Sequence, residues 1–333
     1  IDGISITIIK ENIEVFAPML FDIFSKSFAQ GVVPEQLKVA SVVPIFKAGD
    51  DALVSSYRPV SVINVVAKIF ETYVKSQLMS YFNSILLFSP NQFGFLPNKC
   101  TDLAVRRHVS SIAAGVDKQK CTVSVYLDFK KAFDTLDIDI LIQKFKNAGI
   151  GSDVLKWLSS FCKGRKQVVK INRVLSGTQE LQYGTAQGGV LGPLMFLVYI
   201  NDLLNADLCS SIYAYADDTA LVCSSYNKET LKLQINTDLE KVSQWLIRNK
   251  LLINSSKSKC LSFFEHNTPN EVLTHEFKLL CHTHQCVYQC RCLPIEVVDV
   301  VKYLSLYIDK YLKWYLSLYI DKYLKWYLSL YID

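Results

Sequence analysis

The sequence predicts an α+β fold in which an antiparallel sheet is backed by helices. Its 333 residues are 50% hydrophobic and 20% charged, which is enough for a substantial core and argues against disorder. Apolar residues recur at helical spacing in several stretches, and short runs rich in Val, Ile and Tyr indicate strands. Two such runs flank the adjacent acids Asp217 and Asp218, which predicts a hairpin with both acids at its tip.

The first 120 residues are predicted to be mostly helical, with one short β element. Apolar residues have helical spacing over 11–27, 68–82 and 101–114. The run 38–46 is β-prone and ends in the turn signal Lys47-Ala-Gly-Asp-Asp51.

Strands and helices alternate in the residues that follow. The stripe 138–145 predicts a helix closed by Gly149, and Ser152 is predicted to cap the next helix, over 152–162. Further patterns predict a strand over 122–128, a strand over 167–172, a helix over 194–204 opened by Gly192-Pro193, a helix over 229–249 and a strand over 260–264.

Three carboxylates suggest a metal site. Asp217 and Asp218 repel each other and border apolar residues, so a cation should compensate them, and Mg²⁺ is the natural candidate. Asp128 ends the strand over 122–128, whose Val123 and Val125 should pack while Asp128 faces away from the packed side. Three acids on adjacent strands can hold two Mg²⁺ ions about 3.5–4 Å apart, which is the arrangement that polymerases use.

Bulk properties narrow the class of protein only slightly. A net charge of +5 and a pI of about 8.5 permit nucleic-acid binding without indicating it. Ten cysteines spread along the chain do not suggest a secreted disulfide framework, so reduced intracellular thiols are expected. No signal peptide and no membrane span is predicted.

A series of sequence blocks resembles the reverse transcriptases of non-LTR (LINE-like) retrotransposons. The blocks occur in the family's order and cover nearly the whole chain. They are Val32-Val-Pro through Lys-Ala-Gly49, Tyr57-Arg-Pro-Val-Ser61, Asn91-Gln-Phe-Gly-Phe95, Val125-Tyr-Leu-Asp-Phe-Lys-Lys-Ala-Phe-Asp134, Gln187-Gly-Gly-Val-Leu-Gly-Pro193, Tyr215-Ala-Asp-Asp218, Trp245 through Asn254 with Lys257, and Lys302-Tyr-Leu-Ser-Leu-Tyr-Ile-Asp309. The resemblance implies a right-hand polymerase with fingers and palm and a truncated thumb.

The same resemblance implies an organisation in four parts. Residues 1–120 would form a fingers-like region, and 121–265 the palm with the Asp triad. Residues 266–314 would be a Cys/His-rich connection and a primer-grip-like hairpin. A 12-residue segment, 303–314, repeats at 315–326 and in part at 327–333, and we expect these copies to lie outside the fold.

The chain is expected to be a fragment of a longer polyprotein with an upstream endonuclease. The family further implies an intracellular ribonucleoprotein in nucleus and cytoplasm, with an RNA template, a DNA primer and dNTPs as partners and no membrane.

The resemblance assigns the chemistry to the acids. The reaction would be two-metal phosphoryl transfer to a primer 3′-hydroxyl. Asp128 and Asp217 would hold two Mg²⁺ ions, with Mn²⁺ as an alternative, and Asp218 would support them. The carbonyl of Phe129 would add a metal ligand, and Phe129 would also help to bind the dNTP. Asp134 is a weaker rival to Asp128.

Other matched positions would bind the nucleotide. Phe133 would be the gate that excludes a 2′-hydroxyl, and the Gln187 and Gly188 loop would approach the nucleotide closely. Lys47 and Arg58 would contact the triphosphate. Lys257 matches the position proposed to protonate pyrophosphate, so it joins the acids as a catalytic candidate.

Three departures from the family pattern keep other interpretations open. Ala186 stands where Pro is usual, Leu96 where Arg is common, and Ser305 where Gly is usual. A decayed or domesticated relative that binds nucleic acid without catalysis is the main alternative, and an organellar intron-type enzyme is another. A zinc site in the cluster Cys281, His282, His284, Cys286, Cys290 and Cys292 is disfavoured because its spacing lacks the usual two-residue gaps.

Overall fold

The computed structural model describes residues 5–172, 174–185, 188–263 and 295–312. These residues fall into two compact units that interleave along the chain. The first unit takes the residues up to Phe88 together with Lys131–Asn201, and the second takes Ser89–Lys130 together with the residues from Asp202 onward. The division of the chain into a fingers-like region and a palm comes from the family resemblance, and it stays a prediction.

Most helices and the longer strands lie close to the predicted positions, but the first 120 residues hold two paired strands, Val39–Phe46 and Tyr57–Ile63, where one short β element was predicted. The helices are α1 (Ile6–Glu11), α2 (Ile13–Gln30), α3 (Val65–Ser84), α4 (Thr101–Asp117), α5 (Ile138–Asn147), α6 (Ser152–Cys162), α7 (Gly192–Leu204) and α8 (Lys228–Arg248). The strands are β1 (Val39–Phe46), β2 (Tyr57–Ile63), β3 (Cys121–Leu127), β4 (Lys166–Ile171), β5 (Val174–Leu175), β6 (Gln179–Glu180), β7 (Ser211–Tyr215), β8 (Asp218–Ser225), β9 (Lys259–Phe263), β10 (Glu296–Val297), β11 (Val300–Tyr303) and β12 (Leu306–Asp309).

The predicted helix ends are confirmed at one helix and wrong at the next. Gly149 follows α5 with φ of +85°, and the amide of Ile150 bonds back to the carbonyl of Phe145, which closes the helix as expected. Ser152, predicted to cap α6, is instead the first helical residue. Gly151 occupies the cap position, and no side chain caps this end.

The first unit is built on a mixed sheet and an aromatic core. The strand order is β2-β1-β4-β5, with β6 also paired to β4; β1 and β2 are antiparallel, whereas β1 and β4 are parallel. Phe70 on α3 stacks on Phe24 of α2 with ring centroids 4.0 Å apart, and it meets Trp157 of α6 edge-on. The indole N–H of Trp157 donates to Ser27 Oγ at 2.9 Å, so this buried polar group is satisfied.

The second unit contains the predicted antiparallel sheet. The strand order is β10-β9-β3-β8-β7, and every pair is antiparallel except β10 with β9. Helices α4 and α8 pack against its central strands β3 and β8. The predicted inner stripe of α8 is confirmed, since all its members are buried: Leu231, Ile235, Leu239, Val242 and Leu246.

The expectation that β3 packs through one face only is wrong. Ser124 and Tyr126, on the face predicted to be open, are as buried as Val123 and Val125. The reason is α4, whose buried His108 places Nε2 2.9 Å from Ser124 Oγ and its ring 5.3 Å from that of Tyr126. Burial lowers the pKa of His108 to about 3, so the imidazole is neutral.

Strands β11 and β12 form the hairpin predicted for the first copy of the repeat. Leu304 and Ser305 connect them with φ of +48° and +71°, a left-handed pair that matches a tight hairpin turn and favours glycine. The further copies at 315–333, and the cluster from Cys281 to Cys292, lie outside the described residues.

Replacing Ser305 by Gly is expected to stabilise the protein by about 0.5–1 kcal/mol. The change removes the left-handed penalty of a side chain, and the greater freedom of Gly in the unfolded chain offsets part of that gain. Thermal unfolding should show a rise of a few degrees. The matched change Ser110→Gly, on the exposed face of α4, should lower stability by a similar amount. A destabilised Ser305→Gly protein would contradict the turn geometry.

Candidate active site

The three predicted acids come together at one edge of the second unit's sheet. Leu127 pairs with Thr219, so one further step of the register brings Asp128 opposite Asp218. Asp218 is also the partner of Tyr215, which leaves Ala216 and Asp217 as a two-residue turn between β7 and β8. Asp128, Asp217 and Asp218, called here the acidic edge, therefore belong to neighbouring strand ends.

The acids are close enough to affect one another's charge. Partial burial of the Asp218 carboxyl, and then the charges of Asp217 and Asp128, raise the pKa of Asp218 from 3.8 to about 6. The residue nevertheless keeps one side open to solvent, so an ion can approach it. A cation at the acidic edge would relieve the repulsion.

The donor chemistry of the acidic edge fits magnesium. Carboxylate and carbonyl oxygens are hard ligands, and Mg²⁺ usually takes one or two carboxylates while phosphate oxygens and waters complete its shell. In the described part of the chain, no three His, Cys, Asp or Glu side chains are already gathered around a common point.

The backbone around Phe129 leaves its carbonyl available for a ligand role. Phe129 forms an isolated antiparallel bridge with Ile253. The hydrogen bonds on either side of this bridge join Asn254 N–H to the Asp128 carbonyl and Lys130 N–H to the Leu252 carbonyl, at 2.7 and 2.8 Å. Because these bonds flank Phe129 in an antiparallel pair, its own carbonyl points away from Ile253.

Lys257 lies in the segment that supports Asp128. Its amide donates to the carbonyl of Asn254, and the neighbouring Ser258 is fully buried. Ser258 Oγ accepts from the amide of Asp128 at 3.2 Å and donates to the carbonyl of Asn254 at 3.0 Å. The Lys257 side chain is exposed, as a group that meets a substrate must be.

A buried glutamine holds the turn that carries Asp217. Ala216 has φ of +57°, which is unfavourable for a side chain. Gln92 Oε1 accepts from the amides of Ala216 and Gly94 at 3.0 and 2.8 Å. Phe93 N–H donates to the carbonyl of Ala214 on β7 at 2.8 Å. The Asn91–Phe95 block therefore anchors the acidic turn, a role that the sequence motif did not reveal.

Gly94 in the same block allows this close contact. A Cβ at Gly94 would lie 2.4 Å from the backbone nitrogen of Ala216 and 3.0 Å from its Cβ. No side chain of any size fits there. A glycine two residues after a glutamine was the available signal in the sequence, but the sequence could not identify Ala216, 122 residues later, as the partner of Gly94.

The β11–β12 hairpin lies on the same side of the sheet as Asp218. Tyr303 packs its ring against His108 and Tyr126, with centroids 5.0 and 5.4 Å away. Burial, Tyr126 and the charge of Asp218 raise the pKa of Tyr303. The hairpin therefore packs beside the strand that leads to Asp128.

The first unit holds the residues predicted to bind the nucleotide, apart from Phe129, which belongs to the second unit. The carbonyl of Phe133 accepts from the amide of Thr185 at 3.0 Å, and the Phe133 ring lies 4.7 Å from that of Phe196 on α7. Gly188 has φ of +123°, and a Cβ there would lie 2.3 Å from the carbonyl oxygen of Ser61. Gln187 lies outside the described residues.

Lys47 and Arg58 lie on the two-stranded ribbon of β1 and β2. Arg58 pairs with Ile45, and the amide of Lys47 donates to the carbonyl of Ser56. This register places Lys47 and Arg58 diagonally on one face, where both are exposed. Asp134, the rival metal ligand, also falls in the first unit, with its backbone against Gly184.

An acidic hairpin turn beside a third strand-end acid, in an antiparallel sheet backed by helices, is an arrangement typical of nucleic-acid polymerases with a right-hand fold. The structure is similar to that of apo telomerase from Candida tropicalis truncated from its C-terminal domain, with a TM-score of 0.55. The match has 13% sequence identity and covers 90% of this chain and 59% of that one. It supports the predicted right-hand polymerase fold.

Residues 45–308 match the family described as reverse transcriptase (RNA-dependent DNA polymerase), and the chain belongs to this family. It is 27% identical over 285 residues to a probable RNA-directed DNA polymerase from transposon X-element of Drosophila melanogaster, covering 84% of this chain and 30% of that protein. It is 26% identical to the RNA-directed DNA polymerase from mobile element jockey of Drosophila funebris, covering 80% and 30%.

A third relative is the Pol polyprotein from type-1 retrotransposable element R1 of Bradysia coprophila. The identity is 25%, and the match covers 81% of this chain and 27% of that protein. These relatives confirm the predicted resemblance to non-LTR retrotransposons, and the chain spans about 30% of the length of the first two. Among the described helices, none has the length and apolar character needed to cross a membrane.

Proposed function

We propose that this chain is the polymerase core of a non-LTR retrotransposon reverse transcriptase, which adds dNTPs to a primer 3′-hydroxyl on an RNA template. The observation that carries the proposal is the acidic edge: Asp128 opposite Asp218, with Asp217 in the turn that Gln92 holds. Phosphoryl transfer needs mainly positioning and charge stabilisation, and three acids on rigid strand ends supply both.

Each acid has a distinct part in this proposal. Asp128 and Asp217 would hold two Mg²⁺ ions, or Mn²⁺ in their place, with the Phe129 carbonyl as a further ligand and Asp218 as support. Bound divalent ions lower the pKa of an attacking hydroxyl and neutralise a leaving pyrophosphate. Lys257 would bring a proton donor from the segment that supports Asp128.

The nucleotide would be held by groups of the first unit. Phe133 would pack beneath the sugar and exclude a 2′-hydroxyl, which selects deoxynucleotides. Gln187 and Gly188 would contact the nucleotide through the loop, while Lys47 and Arg58 would bind the triphosphate. The bidentate geometry of Arg58 suits a phosphate better than a single ammonium does.

The proposal also includes the partners of the chain: an RNA template, a DNA primer and the rest of a longer polyprotein. The β11–β12 hairpin would grip the primer end, and the packing of Tyr303 against Tyr126, two residues before Asp128, supports this role. A linked endonuclease would nick the chromosomal target, and the protein would work as a ribonucleoprotein in nucleus and cytoplasm.

Primer extension on poly(rA)/oligo(dT) with Mg²⁺ and dTTP tests this function. The matched control is the doubly substituted Asp217→Ala, Asp218→Ala protein. Extension that disappears in the control is the expected result. A folded protein that binds the duplex yet gives no extension would overturn the proposal and favour a relative that has lost catalysis.

Magnesium is expected to stabilise the protein more at neutral than at acidic pH. Because the folded-state pKa of Asp218 is raised from 3.8 to about 6, the folded protein binds this proton more tightly than the unfolded chain. Stability from this group is therefore present at low pH and lost as pH rises through that window, where the ionised carboxylate becomes free to bind metal.

The measurement is the melting temperature with and without Mg²⁺ at about pH 5 and about pH 7.5. The shift should be larger at the higher pH, and Asp218→Asn should remove most of this difference. Equal Mg²⁺-induced shifts in melting temperature at both pH values in the unmodified protein would contradict the coupling between ionisation of Asp218 and metal binding.

A further inference from the structure

A buried glutamate fixes the loop that precedes α7. Glu71 lies on α3 with 2% of its surface exposed, and its Oε2 accepts from the amides of Val190 and Leu191 at 2.6 and 3.0 Å. These residues directly follow Gly188 and Gly189. A single carboxylate oxygen on one helix thus holds the loop proposed to meet the nucleotide.

Glu71 also borders a small cavity. Glu71 Oε1, Arg165 Nη2 and Thr185 Oγ1 are buried, and none of them has a hydrogen-bond partner among the residues that the structure describes. All three residues line one cavity of about 10 Å³. That volume is close to the minimum of about 10–15 Å³ that one water needs.

Arg165 is oriented by contacts on its other side. Its Nη1 donates to the carbonyl of Phe161 at 3.4 Å, and its guanidinium lies 4.7 Å from the centre of the Phe161 ring. The charges of Glu71 and Arg165 act on each other, yet their free atoms do not bond directly. Leaving three such groups without partners would be costly, because a buried polar atom without a hydrogen bond costs about 1–3 kcal/mol.

We infer that one buried water bridges Glu71 Oε1, Arg165 Nη2 and Thr185 Oγ1. The water would donate to Glu71, accept from Arg165 and share its third bond with Thr185, which is the usual number of bonds for a buried water. On the basis of the proposed function, we further infer that Glu71 and Arg165 are positioning residues for the nucleotide-binding loop.

The loop has little freedom to compensate for a loss of this bridge. Gly188 already lies against the carbonyl of Ser61 without room for a Cβ. Thr185, one of the water's partners, also donates its amide to the carbonyl of Phe133. The water therefore links the nucleotide-binding loop to the backbone that holds Phe133, the proposed sugar gate. Loss of this water should displace both the loop and Phe133.

The kinetic test uses single and double substitutions. Glu71→Gln keeps the size and shape of the side chain but removes its negative charge. With the amide oxygen still accepting from the loop amides, the acceptor Oε1 is replaced by an NH₂ group, a donor, on the side of Arg165. We expect the KM for dTTP in primer extension to rise about tenfold with a smaller change in kcat, as for groups that orient direct ligands. Arg165→Met should also raise the KM for dTTP. In the double variant, the rise in KM should be clearly smaller than the product of the two single-variant rises.

Glu14→Gln, an exposed change on α2, is the matched control and should leave KM unchanged. Unchanged KM in Glu71→Gln, or independent effects in the double variant, would overturn the positioning role. A high-resolution crystal structure of the unmodified protein tests the water itself. Density for one water within hydrogen-bond distance of the three atoms is expected, whereas a direct Glu71–Arg165 ion pair would refute it. An unmodified protein without polymerase activity would refute the proposed function but not the water.

Discussion

Asp128→Asn is expected to lower the rate of primer extension by about 10³-fold or more, on the order of 4 kcal/mol in transition-state stabilisation. The substitution keeps the size of the side chain, so β3 and its partners should fold normally. It removes one of the charges that would hold metal, and it removes a charge that raises the pKa of Asp218. Single-turnover extension gives the rate, and circular dichroism checks the fold.

Two comparison variants make the Asp128 result specific. Asp117→Asn lies at the exposed end of α4, on the same unit, and should extend primers like the unmodified protein. Asp134→Asn examines the rival ligand, and its effect should be far smaller than that of Asp128→Asn. A severe loss in Asp134→Asn with an active Asp128→Asn protein would show that the metal ligand was assigned to the wrong acid.

Gly94→Ala should reduce extension by about 100-fold and destabilise the protein by about 1–3 kcal/mol. The new Cβ would be 2.4 Å from the nitrogen of Ala216, so the turn carrying Asp217 must move. A displacement of about 1 Å at a catalytic group is enough for such a loss. Extension assays and thermal unfolding measure the two effects.

Gly177→Ala is the matched control for the Gly94 variant. A Cβ at Gly177 meets nothing within 4 Å, so the same chemical change should leave both activity and stability nearly unaltered. Gln92→Leu provides a second approach to the turn, because it removes the acceptor for the amides of Ala216 and Gly94. Full activity in both Gly94→Ala and Gln92→Leu would mean that the turn carrying Asp217 does not depend on the Asn91–Phe95 block.

Local patterns predicted most helices, the longer strands other than β2, and the acidic edge, because these depend on nearby residues. Period-two alternation located β3 and its terminal Asp128, and the paired acids located the turn between β7 and β8. The pattern failed where a distant element decided the outcome. The second face of β3 is buried because His108 meets Ser124 from α4.

Long-range pairings were beyond the sequence for the same reason. The parallel pairing of β1 with β4 joins segments more than 120 residues apart, and a β-prone run does not specify its partner. The Glu71 carboxylate bonds to residues about 120 positions later, and an isolated Glu in a helix pattern suggests only a solvated face. Spatial neighbours, rather than residue types, give these groups their roles.

The interleaving of the two units has a consequence during synthesis of the protein on the ribosome. The described residues of the first unit are complete once Asn201 has been made, so this unit can begin to fold early. Strand β3 is made much earlier than β8 and β9, its partners on both sides. With both edges unpaired, β3 must wait through the synthesis of about a hundred further residues for β8 and about forty more for β9. We expect chains stalled in this interval to be the ones that aggregate or recruit chaperones.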